Sequence, residues 1–109
     1  MADFTVRQGT DGAVYWPLFN TNGTPLDMTG WTGVSQVRLF NSNKLVHTFS
    51  TANNTMTLTN NRVTLLWDKV TTTGWKWKDA LFDVELTNPL NKTVRPLQGV
   101  ISVSREYTV

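Results

Sequence analysis

The sequence predicts an all-β protein, a single antiparallel β-sandwich of about seven or eight short strands with at most one helical turn, near residues 68–73. Three observations carry this. Thr, Val and aromatic residues dominate over Ala, Glu and Lys in nearly every segment, as strands favour. Clusters of Asn, Gly and Thr interrupt the chain at intervals of about ten residues. Between Phe82 and Thr87 the apolar Phe82, Val84 and Leu86 alternate with Asp83, Glu85 and Thr87, which puts carboxylates on one face and apolar groups on the other.

Taken in order, strands are expected near Phe4–Gln8, Ala13–Phe19, Val34–Phe40, Lys44–Ser50, Thr55–Thr59, Arg62–Asp68, Ala80–Thr87 and Leu97–Ser104. The turn Gly9-Thr10-Asp11-Gly12 separates the first two and reads as a hairpin turn. Asn20 to Pro25, Asn41-Ser42-Asn43, Ala52-Asn53-Asn54 and Asn60-Asn61 separate later ones, and their Asn-Gly and Asn-Asn pairs suit the positive φ of tight turns. Alternation assigns inward faces to Leu45, His47 and Phe49, to Met56 and Leu58, and to Val63, Leu65 and Trp67. The segment Trp67 to Gly74 resists strand assignment; Asp68 can cap a single helical turn that Gly74 ends. Asn88 to Lys92 supplies turn chemistry, and Thr93 to Val103 returns as the hairpin partner. Pro96 lies inside that return, so the strand begins at an edge or carries a bulge around Arg95-Pro96.

One domain, residues 1–109, accommodates all of this. A chain of this length buries roughly 65% of the surface its unfolded form exposes. Apolar content is a modest 39%, but five Trp and five Phe each bring a large apolar area to the core. No Cys is present, which excludes disulfides and Cys-ligated zinc or iron–sulfur sites. The formal charge of +2 is small, and the ten basic residues are spread from Arg7 to Arg105, which argues against a nucleic-acid partner. The N-terminus lacks an apolar signal region, and no run approaches the ~18 apolar residues of a membrane span. The expectation is a soluble chain with no membrane partner. Three Asn-X-Thr triplets, at Asn22, Asn53 and Asn91, read as turns.

Several residues invite chemistry. His47 is the single histidine; zinc needs three or four ligands, so no metal site is expected. A Ser-His-Asp relay would require His47 as base, yet no Gly-X-Ser-X-Gly elbow occurs and Ser102 and Ser104 lie on a plain strand. Asp83 and Glu85 share a strand face and read as a solvated surface, or as partners for Arg95 or Arg105, in preference to a glycosidase pair. Gly9 to Gly12 lacks the helix and lysine of a phosphate loop. No catalytic residue, cofactor or small-molecule substrate is expected.

Trp75-Lys76-Trp77-Lys78 is the sharpest local feature. Extended, it places both indoles on one face and both ammoniums on the other. Three readings stand beside each other: core packing, an anchor in a protein interface, and a stacking platform for sugars or bases. Trp31, after Gly30 in a loop, raises the same question. Trp31, Trp75, Lys76, Trp77, Lys78 and Tyr107 are the candidate interface residues.

Two stretches, Asp3 to Gly9 and Asn22 to Gly30, together with Phe82 to Leu86, Arg95 to Gly99 with Ile101, and Tyr107-Thr108, resemble the N-terminal β-sandwich domains of phage tail and baseplate proteins. Those domains carry a Gln-Gly-Asp-like turn, an Asn-Gly-X-Pro-hydrophobic-Asp-Leu-Thr-Gly segment and an aromatic-Asp-X-Glu-Leu strand. This chain departs where Thr10 precedes Asp11 and where Met28 stands for Leu. The resemblance covers most of the chain in order and rests on turn and core residues. It implies an immunoglobulin-like sandwich and a non-enzymatic virion protein, assembled in the host cytoplasm. Its expected partners are other virion proteins and copies of itself, docked on a tail, baseplate or connector through aromatic anchors and sheet edges such as Phe4–Gln8. A capsid decoration protein and a carbohydrate-binding module using exposed Trp are the alternatives.

Overall fold

The computed structural model describes residues 2–105. Eight strands and one helix follow the chain: β1 Phe4–Arg7, β2 Gly12–Pro17, β3 Thr32–Leu39, β4 Leu45–Ser50, β5 Met56–Thr59, β6 Arg62–Trp67, α1 Lys69–Thr73, β7 Asp79–Thr87 and β8 Thr93–Ser104. Every expected strand forms within a few residues of its expected place. The protein is mostly β, with a five-stranded sheet in the order β1-β8-β7-β3-β4 and a three-stranded sheet in the order β2-β6-β5.

The larger sheet is mixed. An all-antiparallel arrangement was expected, but β1 runs parallel to β8, with Phe4 opposite Ile101 and Val6 opposite Val103. Alternation reports which face a residue occupies and is blind to the direction of the neighbouring strand. For the same reason Gly9 to Gly12 is not a hairpin turn: it carries the chain from β1 in one sheet to β2 in the other.

One buried cluster draws on both sheets. Val37, Phe49, Phe82, Val84 and Ile101 enter it from the larger sheet, and Met56, Val63 and Leu65 from the smaller. Each such side chain contributes roughly 1.5–3 kcal/mol through burial. Aromatic rings bridge the sheets: Phe4 meets Trp16 edge-on at 5.7 Å and stacks on Trp67, also at 5.7 Å. Trp16 in turn stacks on Phe82 at 5.8 Å.

Asparagine and glycine set the turns. Asn43, Asn54, Asn60 and Asn91 all adopt positive φ, as do Gly9, Gly23 and Gly30. Two of the Asn-X-Thr triplets are Asx turns, in which Asn22 Oδ1 accepts from Thr24 N and Asn53 Oδ1 from Thr55 N.

Two bulges reset the pattern. In β8 the register moves from Val84–Leu97 to Leu86–Val94, so β8 carries an extra residue around Arg95-Pro96, where the proline led us to expect an irregularity. Arg95 there reaches Glu85, with Nη2 to Oε2 at 3.0 Å, an exposed pair contributing about 0.2–1 kcal/mol. In β4 the register moves from Val37–His47 to Arg38–Leu45. Val46 is the extra residue, and Leu45 turns outward to 43% exposure against its expected inward place. A bulge swaps faces, which alternation read through the whole strand does not register.

Candidate functional site

The Trp75 to Lys78 segment is positioned by the helix before it and by the two strands beside it. Asp68 caps α1, its Oδ1 accepting from Thr71 N at 2.8 Å. Asp11, from the β1–β2 connection, accepts from Lys69 N at 2.7 Å. The connection thus brings its own carboxylate to the helix start. Thr72 ties the same two parts together from within. Its hydroxyl accepts from Gly9 N at 3.0 Å and Thr10 N at 3.1 Å and donates to Thr10 O at 3.0 Å.

Gly74 ends the helix, its N–H reaching Thr71 O, and Trp75 N bonds Thr72 O. The chain then runs extended, held by Gln8 Nε2 to Trp75 O at 2.9 Å and Val103 N to Lys78 O at 2.7 Å. Alternation works as the sequence implies. Both indoles turn toward the core with ring centres 5.1 Å apart, and both lysines are exposed. Trp75 is 5% exposed and meets His47 edge-on at 5.0 Å. Trp77 is half-buried against the core.

Beside this segment lies a cleft of about 770 Å³ lined by Gln8, Trp75, Lys76, Trp77, Lys78, Val103, Ser104 and Arg105. Three cations line it and, among the described residues, no carboxylate does. The nearby Asp79 accepts a hydrogen bond from Ser102 Oγ at 2.8 Å. Among the described residues the one ion pair is Arg95–Glu85, away from this cleft.

Other candidates fall elsewhere. Trp31 is half-buried before β3, whose Thr32 pairs with Thr87 at the far end of β7 from Trp77. About 26 Å of strand separates the two ends. Tyr107 lies outside the described residues. His47 and Ser102 are held on strands separated by β7 and β3, about 14 Å across the sheet. Burial pushes the His47 imidazole below its ordinary range, partly opposed by the Asp68 carboxylate. The hydrogen bonds from Thr71 hold Asp68 below the usual carboxylate range. No three His, Asp or Glu side chains group together among the described residues.

Strand edges are the second kind of site, and β1, the expected edge strand, lies at the edge of the larger sheet. The C-terminal half of the β4 edge is partly covered by its own loop: Asn53 Nδ2 donates to Thr48 O, and Ser50 N donates to Asn53 Oδ1 and Thr55 Oγ1. The edge of β1 is bare at its N–H groups, although Arg7 O accepts from Thr10 N and Thr10 Oγ1. Ala2 N bonds Gln98 O and Gln8 N bonds Ser104 O, so even-numbered residues of this strand face β8. Thr5 and Arg7 therefore direct their N–H groups away from β8, where they meet no hydrogen-bond partner among the described residues. Against known proteins, the chain matches no protein-family model and no curated protein.

Proposed function

We propose that the protein is a non-enzymatic structural protein of tailed-phage virions, docking in several copies on the tail, baseplate or connector. Its partners are other virion proteins and copies of itself, joined through a strand edge and the cationic rim around Trp77. The observation that carries this reading is the pair of bare N–H groups, those of Thr5 and Arg7, on the outer edge of β1, beside a β4 edge that its own loop partly covers. Strand addition across an edge with bare N–H groups is a common docking mode. At β2, the other sheet's edge, Pro17 lacks an N–H to offer.

An immunoglobulin-like arrangement belongs to the same proposal. Its support is the strand order: β2-β6-β5 corresponds to strands B, E and D, and β8-β7-β3-β4 to G, F, C and C′ of the variable-type sandwich. The inter-sheet disulfide of antibody domains is absent, since the chain has no Cys. The resemblance of the turn and core residues to phage tail and baseplate domains supplies the virion context. A sugar-stacking platform is less well supported, because Trp75 is 5% exposed and Trp77 half-buried.

Light scattering of the purified chain over a concentration series tests this. A defined closed oligomer is expected. A strict monomer at every concentration would remove self-docking. Immunolabelled particles decorated on heads instead of tails would move the protein to capsid decoration.

A further inference from the structure

The cleft beside Trp75 to Lys78 gathers three cations, Lys76, Lys78 and Arg105, from two separate parts of the chain. Arg105 follows β8, while the lysines sit between α1 and β7. None of the three has a carboxylate partner among the described residues. The protein carries only +2 overall, so this concentration is local and not a sample of a uniformly basic surface. We propose that the cleft receives an acidic polypeptide segment of a docking partner, whose carboxylates pair with Lys76, Lys78 and Arg105. This rests on the docking reading above and names the partner's chemistry.

Three features favour a polypeptide over a nucleic acid. The floor is Trp75 and Trp77, of which Trp75 is 5% exposed and Trp77 half-buried, so little aromatic surface is left on which bases could stack. The three cations line a single cleft, whereas a phosphate backbone asks for a longer track of them. Beyond the cleft, Lys92 lies on the turn at the other end of β7, and Arg95 is engaged by Glu85. Gln8 already donates its amide to Trp75 O, which fixes the cleft wall in place before a ligand arrives. A preformed wall with cations at its rim suits a short extended segment with alternate Glu or Asp.

The test uses the full chain and a fluorescein-labelled hexaglutamate peptide read by anisotropy at low and high salt. Saturable binding is expected. With two rim charges each contributing what exposed pairs contribute, Lys76→Gln with Lys78→Gln should weaken it about fivefold or more. Arg62→Gln with Lys92→Gln removes the same charge elsewhere and should leave it unchanged. Thermal melts of both double variants confirm that the fold persists. Absence of saturable binding overturns the proposal, as does an equal loss in the two double variants. Tighter binding of a labelled dT oligonucleotide through the same lysines also overturns it, in favour of nucleic acid. A protein that oligomerises but ignores the peptide loses only this inference. One that binds the peptide yet remains monomeric loses self-docking and keeps the cleft.

Discussion

Replacing Thr72 by valine exchanges a hydroxyl for a methyl of similar size, and the structure says it should be costly. Thr72 is 0% exposed, and its hydroxyl serves Gly9 N, Thr10 N and Thr10 O at 3.0–3.1 Å. Each bond contributes about 1 kcal/mol net, so their loss costs about 3 kcal/mol. The added methyl returns about 0.8 kcal/mol of burial, leaving a net destabilisation of about 2 kcal/mol. For a domain of this size that lowers Tm by roughly 8–15 °C. Thr72→Ser keeps the hydroxyl and loses a buried methyl, for about 1 kcal/mol. Urea and thermal unfolding of the three proteins, followed by tryptophan fluorescence, give the comparison. The expected order is wild type, then serine, then valine. A valine variant as stable as wild type, or a serine variant below valine, would refute the hydrogen-bond account of how the β1–β2 connection is held.

Other consequences follow from the same geometry. Because burial lowers the His47 pKa, the unfolded chain takes up a proton below pH ~6.5 that the folded chain refuses. Stability is therefore fully present above that pH and is lost as pH falls from 6.5 toward the lowered folded value. Urea midpoints at pH 7.5 and 5.5 should show this loss in wild type and not in His47→Gln, and equal slopes would contradict it. A Cβ at Gly12 would lie 2.7 Å from Trp67 Nε1, so Gly12→Ala should cost about 1–3 kcal/mol by forcing the indole off its stack with Phe4. Asp68→Ala and Asp11→Ala each uncover an N–H of α1 and should lower the urea midpoint, with Asp68→Asn milder because it keeps an acceptor oxygen. Thr5→Pro deletes an outward N–H of β1 and spares the ladder to β8, so it should reduce oligomerisation while circular dichroism stays unchanged.

Local pattern made the strands legible, because a period of two and Asn-rich turns are written in consecutive residues. The helix was legible for the same reason: Asp68 and Gly74 bracket five residues with no alternation. Long-range facts were not. The parallel β1–β8 pairing and the Thr72 hydroxyl's partners some sixty residues away leave no mark on their neighbours. Gly99 is a partial exception. A Cβ there would lie 2.8 Å from the Ala2 carbonyl carbon, so the N-terminal segment crosses β8 where a side chain is missing. At the Trp75 to Lys78 segment the alternation correctly separated indoles from ammoniums, but Arg105 joined the lysines only through the β7–β8 hairpin.

Amide hydrogen exchange at Thr5 and Arg7 tests the central claim most directly, measured on dilute and on concentrated protein. These N–H groups face away from β8, so in the isolated chain they should exchange far faster than those of Phe4 and Val6. Slowing of Thr5 and Arg7 on concentration, with Phe4 and Val6 unchanged, is the result the account predicts. Oligomers in which Thr5 and Arg7 still exchange freely would contradict it, because the copies would then meet somewhere other than the open edge.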